Sequence, residues 1–222
     1  MKKFIFMILA AICSIMTVSA QSQSNYCGSS KFFDNVSIGV VGGVETNLND
    51  WNAPHGAVAG IVLNKEISPI FGVTFEGNTN INGLRNWASD ASHICSNTFD
   101  AFSVYLTPRV NWTNALFGYK GSPRKFEVET VTGLGYGNFA YDDSHNALLA
   151  KAGLNLNYNL NDAVTVMLRP AVIYDLSATN VKFDSRFAVA QLTAGIVYHF
   201  KTSNGTRSFK KAKLYSQSEV DA

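Results

Sequence analysis

Apolar residues near the end of this chain fall at every second position. From Thr193 to Phe200 the apolar set Ala194, Ile196, Tyr198 and Phe200 alternates with Thr193, Gly195 and His199, and Val197 is the exception. A period of two marks a strand whose two faces meet different media. The run ends on an aromatic ring ahead of a hydrophilic tail, as in the closing strand of an outer-membrane barrel, where such rings settle at the membrane–water interface. Seven earlier segments share the period. The predicted strands and their outward apolar residues are 33–43 (Val36, Ile38, Val40), 57–66 (Ala59, Ile61, Leu63), 68–77 (Phe71, Val73, Phe75), 99–110 (Phe102, Val104, Leu106, Val110), 126–138 (Phe126, Val128, Leu134, Tyr136), 147–160 (Leu148, Leu154, Leu156, Tyr158, Leu160), 163–175 (Val164, Val166, Leu168, Val172, Tyr174) and 187–200. An even count of eight predicts an all-β chain, an eight-stranded antiparallel up-and-down transmembrane β-barrel.

A length check favours the membrane over a soluble barrel. Phe126 and Tyr136 share a face and are separated by about 34 Å of strand, which projects to roughly 26 Å at a tilt of about 40°. An apolar band ~25 Å tall therefore puts both rings at interfaces. By the same parity Tyr158, Tyr198 and Phe200 join the lower aromatic girdle, and Tyr174 joins Tyr136 in the upper one. The opposite face carries Glu127, Glu129, Lys151, Asn155, Asn157, Arg169, Asp175 and Gln191. A soluble, lipocalin-like carrier would turn its apolar face inward and leave these in solvent.

Loop lengths give an orientation. Counting upward from the periplasm, the connections 44–56, 78–98, 139–146 and 176–186 are extracellular, and 64–68, 111–125 and 161–163 are periplasmic. The long ones fall mostly outside, as expected; 111–125 is the exception. Leu160 and Val164 must pair to keep their faces, so Asn161-Asp162-Ala163 is predicted to form a three-residue hairpin loop.

The N-terminus adds a compartment. Lys2 and Lys3 precede an apolar run from Phe4 to about Val18 and the small-residue site Val18-Ser19-Ala20, so 1–20 reads as a signal peptide cleaved before Gln21. Lipidation at Cys13 is disfavoured by Ile12, where a small residue is needed. The organisation that follows is a periplasmic segment 21–31, the barrel 32–200 and a polar basic tail 201–222, expected to be solvated and flexible. Cleavage leaves 16 basic residues against 16 acidic ones, a balance that argues against a nucleic-acid partner. Cys27 and Cys95 fall on opposite sides of the membrane in this topology and are expected not to pair.

Several stretches then resemble the N-terminal barrel of the OmpA-like outer-membrane proteins of Bacteroides-type bacteria. They are Phe33-Asp34-Asn35 with Ile38-Gly39 and Gly42-Gly43-Val44, Ser68-Pro69-Ile70-Phe71-Gly72 with Glu76-Gly77, Phe117 to Arg124 leading to Phe126-Glu127-Val128, Gly133-Leu134-Gly135-Tyr136-Gly137, and Tyr198 to Thr206. The resemblance spans about 32–209. The longest members of that family continue into a periplasmic peptidoglycan-binding domain; this sequence stops at Ala222, and the domain's binding residues are expected to be lacking. The resemblance implies a Gram-negative envelope barrel with outer-membrane lipid around it, brought there by the barrel-assembly machinery through its last strand.

Candidate chemistry lies on the inward face. Arg109 should neighbour Glu127 and Glu129 on the next strand, while Lys151 and Asp175 face inward on adjacent strands near the outer end and Arg169 lies lower. Buried charges must be paired, so these six predict a lumenal ion-pair network that fills the barrel; a gated ion path is the alternative, and with it a small channel or transporter. Leu84, Trp87 and Ile94 on the long 78–98 loop are candidate surface-ligand contacts. His55, His93, His145 and His199 lack metal-ligand spacing, and no His-x-Ser pair or dinucleotide glycine pattern is present, so no cofactor and no enzymatic activity are expected. The glycines at 133, 135 and 137 are read as easing close packing in a strand.

Overall fold

A computed structural model describes residues 31–48, 56–81, 99–139, 142–177 and 184–211. Eight antiparallel strands close on themselves in sequence order: β1 (Val36–Asn47), β2 (Gly56–Glu66), β3 (Phe71–Ile81), β4 (Phe99–Asn111), β5 (Phe126–Phe139), β6 (Asp142–Asn159), β7 (Val164–Asp175) and β8 (Ala188–His199), with β8 pairing β1. Each predicted strand is present. Residue pairing carried from Ile38 through Leu63, Phe75, Leu106, Leu134, Ala150, Tyr174 and Ala188 returns to Leu48, a stagger of ten residues. Such a stagger tilts the strands by roughly 35–45° and leaves a lumen that side chains can fill.

The facing agrees with the period-two reading at every named position. Ile38, Val40, Ile61, Leu63, Phe75, Phe102, Leu106, Leu134, Leu154, Leu168 and Ile196 are exposed, whereas Glu76, Arg109, Lys151, Asn155, Arg169 and Gln191 are buried. This polarity is inverted relative to a water-soluble barrel: the apolar side chains cover the outside and the charges lie in the lumen. Val197, the break in the alternation, turns inward and packs with Val41, Val62 and Met167 in a small apolar lumenal cluster. A second cluster of Tyr105, Ala147, Leu149, Ile173 and Val189 lies toward the end where β5 passes into β6. Tyr105 packs closely on Gly135, where an added Cβ would sit 2.2 Å from the ring.

The end at which β1 starts and β8 finishes is here called proximal, the other distal. Strands reach further distally than the sequence pattern predicts. β1 runs to Asn47, β3 to Ile81, and β5 and β6 continue to Phe139 and from Asp142, so the predicted 139–146 loop shrinks to residues 140 and 141. At the proximal end the 161–163 turn is as expected: Leu160 N–H donates to the Val164 carbonyl at 3.0 Å, and Asn161 Oδ1 accepts from the amides of Ala163 and Val164.

The anomalous 111–125 connection has a structural role. A short helix, α1 (Trp112–Phe117), takes over beside β5 where β4 has ended. Thr113 Oγ1 accepts from the Val128 amide at 2.9 Å, and Trp112 Nε1 donates to Thr130 Oγ1 at 3.0 Å. These contacts satisfy an edge that would otherwise present unpaired backbone groups. Asn111 caps the helix by accepting from the Asn114 amide.

Residues 201–211 depart from the expected solvated tail. Thr202 and Thr206 close a tight turn with Gly205 at φ 75°, Ser203 donates through its amide (2.6 Å) and hydroxyl (2.7 Å) to Asp34, and buried Tyr119 donates to the Phe209 carbonyl at 2.8 Å. The segment before β1, the one after β8 and the α1 connection thus form a folded proximal floor. The two Ser203 hydrogen bonds favour the ionised form of Asp34 and hold its pKa below the ordinary value.

Candidate functional site

The lumen holds one continuous chain of polar side chains. At its distal end Asn80 donates to Glu45 at 2.6 Å, and Gln191 links Glu45 (3.4 Å) to Lys151 (3.1 Å). Glu76 then accepts from both Lys151 (2.6 Å) and Arg169 (2.7 Å), with Asn78 also donating to it. Arg169 Nε passes the chain to Asn155 Oδ1 at 3.0 Å, and Asn155 Nδ2 passes it to Glu129 at 3.2 Å. Arg109 closes it proximally by bridging Glu129 (2.9 Å) and Glu66. Eleven side chains drawn from all eight strands are therefore tied across the lumen.

All six residues expected in a lumenal ion-pair network face inward and are buried, but their pairing differs from the expectation in three places. Arg109 does reach Glu129, yet its second carboxylate is Glu66. Glu127 instead accepts from Asn111 Nδ2 and the Arg124 amide, each at 3.1 Å. Lys151 goes to Glu76 on the far wall, while Asp175 accepts from the Ser177 amide at 2.7 Å. Glu76 is the residue that sequence reasoning missed. It lies one position after outward Phe75, so parity placed it inward; its partners, 75 and 93 positions away, come from strands that are not its neighbours. Lys151 Nζ also sits 4.9 Å from the centroid of the Tyr105 ring, a cation–π contact that is strong once desolvated.

Glu76 is fully buried, and its two cations are 3% exposed each. A carboxylate sealed between an ammonium and a guanidinium fixes the relative positions of β3, β6 and β7 through charge-assisted bonds. Below it lies a cavity of about 90 Å³ whose wall includes Glu66, Arg109, Glu127, Glu129, Asn157 and His199 and, from the floor, Tyr119 and Phe209. His199 meets Thr165 Oγ1 at 2.9 Å.

The six rings expected at the interfaces point outward. Phe126, Tyr136, Tyr158, Tyr198 and Phe200 are 42–57% exposed, and Tyr198 and Phe200 stack edge to face at 5.5 Å. Tyr174 is half-buried, its hydroxyl accepting from the Asp184 amide. Leu84, Trp87, Ile94, Cys27 and Cys95, like residues 1–20, lie outside the described residues.

No family model and no curated protein matches the sequence. Solved structures do. The N-terminal β-barrel domain of Pseudomonas aeruginosa OprF aligns at 12% identity and a TM-score of 0.48, covering 74% of this chain and 97% of that one. Neisserial surface protein A aligns at 13% identity and 0.45, covering 74% and 96%. A major outer membrane protein of Thermus thermophilus aligns at 15% and 0.44, covering 74% and 98%. At such identities the likeness concerns fold alone.

Proposed function

We propose that the protein is a non-enzymatic outer-membrane barrel with a structural, envelope-integrity or surface-interaction role, and that its lumen is closed. The observation that carries this reading is the polar chain from Asn80 to Glu66, which fills the barrel with side chains engaged with one another. A working acid–base pair or a conduction path needs groups free to meet a substrate or an ion; here Glu76, Lys151, Arg169 and Arg109 are committed to holding strands in register. The exposed apolar exterior supports outer-membrane lipid as its surroundings. The last strand is the segment offered to the barrel-assembly machinery, and the distal loops, Leu84, Trp87 and Ile94 among them, are the surface offered to an external ligand.

The location is tested by fractionation. The mature protein should sediment with outer membranes and migrate on gels at different positions before and after boiling. Recovery as a soluble periplasmic protein without detergent contradicts the reading.

A further inference from the structure

We propose that the proximal rim is a docking surface for anionic phospholipid headgroups, whose phosphates meet cations stacked on exposed aromatic rings. Three such stacks are present among the described residues: Lys65 Nζ lies 6.0 Å from the centroid of the Phe32 ring, the Arg124 guanidinium 5.9 Å from that of Phe117 and the Arg207 guanidinium 4.9 Å from that of Tyr198. Each cation is also tied to backbone carbonyls. Lys65 donates to that of Asp34, Arg124 to those of Phe117 (3.0 Å) and Gly118 (2.6 Å), and Arg207 to that of His199. Among the described residues none of the three forms a salt bridge, whereas lumenal Arg109, Lys151 and Arg169 each hold a carboxylate. An ammonium has three N–H donors and a guanidinium five, so the carbonyls leave every rim cation with donors for an anion.

The stacks belong to the outer surface. Lys65 follows exposed Ile61 and Leu63 at every second position of β2, and Tyr198 follows Ile196 in the same way on β8. Trp112 follows outward Val110 and donates to Thr130, which shares the parity of outward Phe126, so α1 starts on the outer side of β5. Phe32 and Phe117 are 80% and 73% exposed. Aromatic rings this open suit a membrane–water interface better than water, and they extend the girdle of Phe126, Tyr198 and Phe200 round the rim. Acyl chains can then lie against the rings while phosphates reach the cations stacked on them.

Charge selects the headgroup. Lys31, Lys120, Lys125, Lys201, Lys210 and Lys211 are exposed on the proximal segments, and Asp162 is the one exposed acid there among the described residues. The distal connections 48–55, 82–98, 140–146 and 176–187 have the opposite bias, with five aspartates against three basic residues. Excess basic charge at a membrane surface draws anionic lipid to it, and a guanidinium meets two phosphate oxygens at once. A zwitterionic headgroup brings a cation of its own, which the lysines repel. A soluble anion finds the same charge but gains nothing from the rings, so the occupant is a lipid. Docking of this kind rests on the outer-membrane placement proposed above.

The test uses the full mature chain in phosphatidylcholine vesicles, with Trp51→Phe and Trp87→Phe leaving Trp112 as the sole tryptophan, on the helix that carries the Phe117 ring. Quenching of its fluorescence by phosphatidylglycerol brominated in the acyl chains is compared with quenching by phosphatidylcholine brominated in the same way. At low salt phosphatidylglycerol should behave as though about fivefold enriched beside Trp112, the effect of one basic residue near an anionic surface. Salt at about 0.5 M should erase the difference. Arg124→Gln should remove most of the preference, and Lys125→Gln, which deletes an exposed charge that has no ring, much less. Phe32→Trp, with Trp112→Phe added, should report the same preference beside Lys65 and lose it in Lys65→Gln. Equal quenching by the two lipids, a preference that salt does not screen, or equal losses in Arg124→Gln and Lys125→Gln overturns the proposal. The salt comparison needs no charge variant to fold. Quenching by neither lipid shows that the protein has not inserted, and overturns the outer-membrane placement together with the docking surface.

Discussion

The two charged regions of the lumen are built from the same groups in opposite proportions. Midway along the barrel one carboxylate, Glu76, serves two cations, Lys151 and Arg169; proximally one cation, Arg109, serves two carboxylates, Glu66 and Glu129. Asn155 joins the two, accepting from Arg169 and donating to Glu129. Neither region balances its charge alone. Together they approach neutrality, and the connecting amide keeps the surplus of each within reach of the other. The first region is buried on all sides, and its geometry is fixed from three walls; the second faces a cavity and has room to adjust. Loss of a charge should therefore be felt most where nothing can relax.

The largest expected effect is at Glu76. Glu76→Gln strands two buried cations and should destabilise the barrel by about 5 kcal/mol, the upper end of the cost of breaking a buried pair. Urea unfolding in detergent measures it, and a smaller loss than at Arg109 reverses the comparison. Arg109→Met should cost about 4 kcal/mol, and adding Glu66→Gln and Glu129→Gln should recover much of it, because the carboxylates left unpaired are then removed. Failure of the triple variant to recover means that the guanidinium contributes chiefly by filling space.

Outside the lumen the expected effects are smaller. Leu154→Arg places a charge on the exposed apolar face of β6 and should cost about 2–4 kcal/mol, while Arg at turn residue Asn161 should cost little. Equal tolerance at the two positions contradicts the facing of the whole barrel. The gentlest effect belongs to the Asp34–Ser203 clasp. Its carboxylate is held below the ordinary value of 3.8, so the clasp's contribution is complete above that pH and is lost as the pH falls through the lower folded value. The Ser203 amide resonance should titrate with its midpoint below 3.8; a midpoint at or above it shows that the clasp does not form.

The barrel itself was legible in the sequence, because alternation between faces is a local property and survives in every strand from Val36 to His199. Parity also placed Arg109, Glu127, Glu129, Lys151, Arg169 and Asp175 in the lumen. It could not pair them, since Lys151 and Glu76 meet across the barrel and are neighbours only once the sheet closes. Glu66 was legible as a strand-end residue and no more; its contact with Arg109 depends on the stagger between β2, β3 and β4. The packing of Phe209 beneath Tyr119 left no periodic trace, because the floor is irregular backbone held by side-chain bonds. Val197 looked like a flaw in the alternation and is instead a lumenal packing residue, matched by Val41, Val62 and Met167.

The closed lumen is the claim on which the rest depends, and single-channel recording of the refolded mature protein in planar bilayers tests it most directly. The proposed plug of Glu76 between Lys151 and Arg169, continued through Asn155 to Glu129 and Arg109, predicts that the protein inserts and produces no stable conductance steps. Arg109→Met with Glu66→Gln and Glu129→Gln should also stay silent, because the Glu76 layer is untouched. Discrete, long-lived conductance from the unmodified protein contradicts the account and makes the barrel a channel.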